Sequence, residues 1–444
     1  MGNCCSAPVD FNGEVNLFHF DLHRAVGKGA FGKVRVVEHK RSKDLYALKY
    51  IDKSKCIKQK AVANIIQERR LLEEIDHPFI VNLRYAFQDD DNCFFVLDLM
   101  LGVHLDVRGC FSERVVRFWM AELSSALAYL HEQRIIHRDV KPDNILLDAG
   151  GHAHLTDFNV AIHYSERRLH TSVAGSMAYM APEVVNTTRK GYTWHIDWWS
   201  LGVCAYELLW YKRPFRGNSA EKMGESIAKD EISIPPARDG AQGISHDGAL
   251  FISNLLERNP RHRLACRTLS SSLDDIHNHP WFSHINWEKL EAKQLDSPFT
   301  PDLKKVNFDP THELDEFMMV EKTLTHKKRK QDSDLEKMKP EMRQLTEQFT
   351  LYDFKLSMRK SYYPLNEPIV AAREADGDSV VVLQSQTNTF VQHATIGDAS
   401  RPNSPAPGSR HSHSSSDRSS SRHHSSRSVS SAASRVSSTQ PVRR

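Results

Sequence analysis

The sequence has few cysteines: seven in 444 residues, scattered apart from one adjacent pair and without a CxxC spacing. That excludes a disulfide framework and zinc-ribbon ligation, and with no secretory signal it implies a reducing, cytosolic setting with free thiols. Long apolar runs are also lacking. None approaches the roughly 20 residues needed to span a bilayer. Charge of one sign is missing too, since the net is only +3, which excludes a broadly basic nucleic-acid protein; no nucleic acid is expected as a partner. The balance conceals an asymmetry: residues 401–444 hold eight Arg and one Asp, so that stretch is +7 and the remainder −4. No repeat of solenoid length occurs. The many His residues after about 396 recur at no ligand spacing, so they read as solvated composition rather than a metal site.

What is present centres on His137-Arg138-Asp139-Val140-Lys141-Pro142-Asp143-Asn144-Ile145-Leu146-Leu147. An aspartate is followed two residues on by a lysine and three beyond that by an asparagine, and an apolar run then reads as a short buried strand. His154-Leu155-Thr156 leads as a second strand into Asp157-Phe158-Asn159. These groups offer a carboxylate able to accept a proton and a cation able to meet a phosphate. They also offer an amide and a second carboxylate able to hold a divalent metal. A lone His-Arg-Asp would be read as a charged loop. Here, Gly27-Lys28-Gly29-Ala30-Phe31-Gly32-Lys33-Val34 forms a glycine-rich turn between two strand-like runs, able to fold closely over phosphates. By itself that spacing fits any flexible hairpin. Ala47-Leu48-Lys49 follows on a strand, and residues 60–75 show helical spacing of apolar residues with Glu68 nineteen residues past Lys49.

In these motifs the chain resembles the protein kinases over about residues 20–282, and Lys141 marks the serine/threonine kind. The resemblance implies an α+β, bilobal protein kinase fold, with a small β-rich N-lobe over 18–100, a larger helical C-lobe over 101–282, and a partly disordered C-terminal extension. It implies Mg²⁺ and ATP as cofactors, protein substrates, and a monomer. Asp139 is then the group that accepts or orients the substrate hydroxyl proton, Lys141 steadies the phosphoryl group, and Asn144 and Asp157 hold Mg²⁺. His137 packs on Phe158. Gly27, Lys28, Gly29, Ala30, Phe31, Gly32 and Val34 cover the nucleotide, Ala47 and Leu146 line its pocket, and Lys49 pairs with its phosphates while held by Glu68. Leu97 guards the back of the adenine pocket, and backbone groups of Asp98 and Met100 bond the base. Asp197 braces the catalytic-loop backbone, and Arg263 is the buried partner of Glu183.

The segment 160–183 is the activation loop by the same resemblance, with Ser172 at the phosphorylation position and Thr171 its neighbour. Arg138 could pair with a phosphate there, or the loop could be ordered without one. Ser176 should sit near the acceptor hydroxyl. Within the AGC group the chain is similar to the YANK (serine/threonine kinase 32) family. The carriers are Met-Gly-Asn-Cys-Cys at the start, Asp-Phe-Asn at 157–159, Phe299-Thr300-Pro301-Asp302, and Asn307-Phe308-Asp309-Pro310-Thr311. Most AGC kinases dock a C-terminal Phe-x-x-Phe on the small lobe. None is found here, which puts regulation by that route in question.

Two departures stand out. After Met100 the chain is about four residues short through Gly102–Asp106, which leaves open a pseudokinase-like scaffold that acts through its tails. Asn159 replaces the usual glycine, where asparagine is expected to tolerate a left-handed backbone. At the start, Gly2 with Ser6 fits N-myristoylation and Cys4 and Cys5 fit palmitoylation, the two signals stable anchoring needs. Residues 1–17 are therefore expected to be an acylated segment holding a cytoplasmic protein to the inner face of a membrane. Residues 283–395 form an extension, in which 283–330 are expected to wrap the kinase surface and carry the basic run Lys327–Lys330, while 331–363 have helical character with Leu345, Phe349, Tyr352 and Phe354 available for packing. Residues 396–444, rich in Ser, Arg and His, cannot bury enough surface to offset ordering entropy and read as a disordered, phosphorylatable tail.

Overall fold

The computed structural model describes residues 9–28, 32–100, 110–165, 167, 169–185, 191–235, 244–301, 324, 335, 338–359, 382–385 and 388–391. The turn tip 29–31, the short stretch after Met100, the acylation positions and the run 327–330 lie outside them. The chain divides into two units. In the small second unit and at its border the described residues are two paired strands, Val382–Ser385 and Asn388–Val391, within the stretch read as extension.

The large unit begins with five antiparallel strands: β1 (Phe20–Lys28), β2 (Gly32–His39), β3 (Leu45–Asp52), β4 (Leu83–Gln88) and β5 (Asn92–Asp98). Between β3 and β4 lie α1 (Lys53–Lys58) and α2 (Val62–Glu74). The strands are rich in aromatic and β-branched residues, which favour a pleated, half-buried surface. Sequence order is broken once, giving β1-β2-β3-β5-β4. Their register places Gly27 opposite Val34, Val34 opposite Lys49, and Ala47 opposite Leu97. One face of the sheet therefore gathers the residues expected around a nucleotide. Gly32 has a reason of its own to be glycine: an added Cβ would lie 1.7 Å from the Tyr50 carbonyl oxygen.

The second half is built around α3 (Glu113–Glu132) and α5 (His195–Trp210), both buried along most of their length. Ser112 stands at the N-cap of α3, although its side chain makes no capping bond. Short strands β6 (Ile135–Ile136), β7 (Ile145–Leu147), β8 (Ala153–Leu155) and β9 (Ile162–His163) form two small ribbons, β6 with β9 and β7 with β8. Helices α4 (Pro182–Val185), α6 (Ala220–Lys229), α7 (His246–Leu255), α8 (Ser272–His277) and α9 (Trp287–Glu291) complete the helical half. Arg263, fully buried, forks onto both oxygens of Glu183 at 2.7 and 3.0 Å, the geometry that makes a guanidinium–carboxylate pair worth burying. Beyond α9 the chain stays on this half: Phe299 meets Phe111 and Trp119 edge-on, and Ser297 donates to the Gly151 carbonyl.

Although no Phe-x-x-Phe is present, a C-terminal segment does dock on the N-lobe, and it uses the residues available for packing. Helix α10 (Pro340–Gln348) packs on α1 and α2, and β10 (Tyr352–Asp353) pairs antiparallel with β4 as a sixth strand. The residues involved, Phe349-Thr350-Leu351-Tyr352-Asp353-Phe354, form a Phe-x-x-Tyr rather than a Phe-x-x-Phe. Tyr352 is buried, and the segment is held by its backbone too. Arg69 Nε donates to Thr350 O at 2.8 Å, Gln88 Nε2 to Thr346 O and Phe349 O at 2.9 and 2.6 Å, and Phe354 N to Arg84 O at 2.9 Å. This covers the open edge of β4. Phe349 is fully buried edge-on to Phe95, with centroids 5.1 Å apart, and Lys49 Nζ lies 5.8 Å from the same Phe95 ring.

Phe349→Ala removes a buried aromatic worth about 3–5 kcal/mol of packing. The amides of α10 and β10 should then lose hydrogen-exchange protection while those of α5 keep theirs. Unchanged protection in α10 would show that the docking does not depend on this ring. Acidification tests the buried imidazoles. Burial lowers His39, His154 and His195 to about 4 and His77 to about 3, each from 6.5. A folded pKa below the unfolded one means the unfolded chain binds more protons, so this stability is present above 6.5 and lost as pH falls towards 4. For His154, with none of its surface exposed, that is on the order of 3 kcal/mol. His152 opposes them: Glu122 outweighs burial and raises its pKa. The melting temperature should drop steadily from pH 7 to pH 5, and a flat profile would contradict this.

Candidate functional site

The first cluster joins the two halves through one cation. Lys49, central on β3, donates from Nζ to Glu68 Oε1 at 2.6 Å and lies 3.5 Å from Asp157 Oδ1. Glu68 is on the buried face of α2 and only 2 % exposed, so it has no solvent to stabilise its charge. Burial acts to lower the Lys49 pKa, but Glu68 and Asp157 outweigh it and hold it above the ordinary lysine value. The side chain therefore stays a cation.

The second cluster lies on the loop between β6 and β7. Asp139 Oδ2 accepts from Lys141 Nζ at 2.8 Å and from Asn144 Nδ2 at 3.0 Å, while Oδ1 accepts from the Ser176 backbone N–H at 2.8 Å. Lys141 Nζ also reaches Ser176 Oγ at 2.9 Å. Burial raises the Asp139 pKa, but the bonds from Lys141 and Ser176 win and leave it below the usual aspartate value. The carboxylate is ionised at neutral pH, as a proton-accepting or orienting group requires. Gly175, at φ +99°, permits the close approach of the two loops: a Cβ there would stand 2.2 Å from Arg138 O.

Both clusters rest on fixed backbone. Asp197 is fully buried on α5 and accepts from the His137 and Arg138 backbone N–H groups and from His131 Nε2, each at 2.9 Å. Arg138 and Asp157 both sit at positive φ, +69° and +65°, a strain of about 1–3 kcal/mol each that the surroundings must hold. His137 supports Phe158 edge-on at 4.9 Å, and its Nε2 lies 3.0 Å from Thr156 O.

Most of the residues expected from sequence are thus brought together. Lys49, Glu68 and Asp157 meet directly, as do Asp139, Lys141, Asn144 and Ser176. Gly27, Val34, Ala47 and Leu97 are juxtaposed by sheet register, with Lys28 paired to Lys33 beyond them. Leu146 is half-buried at the centre of β7. Asp98 is more constrained than expected. Its side chain is paired with Arg84, and its N–H donates to Asn82 O at 3.1 Å, so any contact with a base falls to its carbonyl. Met100 is buried two residues beyond the end of β5. Ser172 Oγ accepts from Arg138 at 3.0 Å, whereas Thr171 is exposed beside it. Tyr192 was missed in the sequence: its hydroxyl donates to Ser172 O at 2.6 Å and accepts from Arg138 at 3.1 Å, and no local pattern marks it. Gly29, Ala30, Phe31, Gly2, Cys4 and Cys5 lie outside the described residues.

Asp157 and Asn144 fit a magnesium ion. Oδ1 of Asp157 is buried without a hydrogen-bond partner. Asn144 donates with its amide nitrogen to Asp139 O and Oδ2, which leaves the amide oxygen as the atom suited to a cation. No cluster of three or more His, Cys, Asp or Glu ligands occurs among the described residues. Magnesium typically takes only one or two carboxylates and completes its shell with waters and substrate phosphates.

Comparison with known proteins agrees with this geometry. The protein kinase domain family matches residues 20–282. Serine/threonine-protein kinase 32C of Mus musculus is 41% identical over 327 residues, covering 71% of this chain and 64%, just under two thirds, of the relative. Serine/threonine-protein kinase 32B of Homo sapiens is 40% identical over 329 residues, covering 72% of this chain and 77% of the relative. Serine/threonine-protein kinase AtPK2/AtPK19 of Arabidopsis thaliana is 39% identical over 299 residues, covering 66% of this chain and 61% of the relative. The chain belongs to the serine/threonine protein kinases, and within them to the serine/threonine kinase 32, or YANK, family.

Proposed function

We propose that the chain transfers the γ-phosphate of Mg-ATP to serine or threonine hydroxyls of protein substrates. The observation that carries this reading is the single lysine, Lys49, held between Glu68 at 2.6 Å and Asp157 at 3.5 Å. It ties the nucleotide-facing sheet, α2 and the metal loop into one charged centre. Phosphoryl transfer depends mainly on positioning and on neutralising spread negative charge, and this centre is built for both. Lys49 meets the nucleotide phosphates, while Gly27, Val34, Ala47, Leu97 and Leu146 enclose the base. Asn144 and Asp157 hold Mg²⁺, which supplies charge neutralisation at the phosphates. Asp139 orients the acceptor hydroxyl and takes its proton, and Lys141 steadies the phosphoryl group from the side of Ser176. A scaffold without catalysis finds no support in the site, because each of these charged groups is present. Phosphate on Ser172 would meet Arg138, already 3.0 Å from its hydroxyl.

Acylation at Gly2, Cys4 and Cys5 holds the kinase at the inner face of a membrane in this reading. The tether is short, because the chain is seated on the N-lobe from Phe11 onward. Phe11 packs on His19 and His39, and Val15 and Leu17 are buried. No helix among the described residues is long and apolar enough to cross a membrane, so the acyl groups would carry the attachment.

Two measurements test these readings. Mg²⁺-dependent transfer of labelled γ-phosphate to a protein acceptor should fall at least about 100-fold in Asp157→Ala while the fold is kept. Equal transfer by both proteins would remove Asp157 from the site. In cells, Gly2→Ala should move the protein from the membrane pellet to the supernatant. An unchanged distribution would end the acylation reading.

A further inference from the structure

Asn159 was expected to keep the turn feasible by tolerating a left-handed backbone, and the structure does not call on that tolerance. Asp157 carries the positive φ in this turn, and Asn159 is not among the described residues that do. The turn is closed by Ala161 N donating to Phe158 O at 3.1 Å, and fastened by Arg138 Nε donating to Val160 O at 2.6 Å. Neither bond needs special freedom at position 159. The backbone thus leaves the asparagine unexplained, and its side chain supplies the reason. Nδ2 donates to Asp157 Oδ2 at 3.1 Å. The amide must present its nitrogen, because its oxygen there would set two acceptors against each other.

The two oxygens of Asp157 are thereby given different surroundings. Oδ2 is held from the loop side by Asn159, while Oδ1 is buried, lacks a hydrogen bond, and faces Lys49 at 3.5 Å. The terminal torsion of an aspartate is soft and roughly two-fold, so a carboxylate carried on a strained residue would otherwise rock. We propose that Asn159 is a positioning residue for the magnesium-holding carboxylate: its carboxamide locks the rotation of Asp157 so that Oδ1 is presented to the cation side of the site. Glycine at this position cannot do this through a side chain. Groups that orient a metal ligand typically change metal affinity 10- to 100-fold when removed. The inference rests on the reading of Asp157 as the Mg²⁺ ligand.

The test uses the full chain and ADP binding by calorimetry, across a Mg²⁺ series and in EDTA. Asn159→Ala removes the donor, and Asn159→Gly removes the same donor while freeing the backbone. Both variants should bind ADP in EDTA within about twofold of wild type and melt at its temperature. Both should need about 10-fold more Mg²⁺ for half of the Mg²⁺-induced gain in affinity. The inference is overturned if Asn159→Ala titrates like wild type. It is also overturned if Asn159→Gly alone behaves normally, since backbone and not the donor would then matter, or if both variants weaken ADP equally in EDTA. Wild-type ADP binding that ignores Mg²⁺ would overturn the metal reading itself.

Discussion

The structure depends on one buried carboxylate and the cation paired with it. Glu68 is almost wholly removed from solvent, its Oε2 has no hydrogen-bond partner, and Lys49 supplies the compensating bond through Oε1. An ionised carboxylate at such depth is tolerated only when paired. The position of α2 is therefore coupled to the position of β3, and Lys49 in turn leans towards Asp157 on the loop below. One interaction makes the sheet, the helix and the metal loop interdependent. A kinase needs its nucleotide, cation and acceptor groups in register at once, and this is how the present chain couples them.

The remaining elements stabilise that coupling from outside. The C-terminal segment occupies the far side of α2. Arg69, adjacent to Glu68, donates to the Thr350 and Leu351 carbonyls, and Phe349 reaches the Phe95 ring that also faces Lys49. Its strand closes the sheet edge, so α2 is pressed between the catalytic lysine and a segment nearly three hundred residues away in sequence. On the other half, the fully buried carboxylate of Asp197 accepts two backbone hydrogen bonds from the catalytic loop and a third from His131 on α3. That loop can thus hold a strained Arg138 and still present Asp139 at a fixed angle.

Membership of the serine/threonine kinase 32 family also places the chain's departures in context. Asp-Phe-Asn keeps the metal-facing aspartate and adds a side-chain amide beside it. The Phe-x-x-Tyr of the extension replaces one ring by another and keeps the backbone bonds that hold it. Both substitutions alter how a functional group is held while leaving the group itself in place.

How much was legible in the sequence follows from the range of each interaction. The loop carrying Asp139, the strand lysine Lys49 and Asp157 were readable as one group because the chemistry proposed for them needs fixed residue types at fixed short spacings. The helix carrying Glu68 was readable because its apolar residues recur at helical spacing. Tyr192 was not readable, since its role exists only once the activation loop folds beside Arg138. The aromatics of the docked segment were readable as available for packing, but their destination was not, because the surface on α1, α2 and β4 that receives them is built by residues far away. Asn159 shows the boundary most clearly. The sequence by itself determined that an amide stands two residues after Asp157, and it suggested a backbone reason. Only the tertiary structure, by closing the turn without left-handed φ at that residue and burying one oxygen of Asp157, decided that the side chain does the holding. Residue chemistry is local and can be read in order, whereas the direction in which a side chain is free to act is set by everything packed around it.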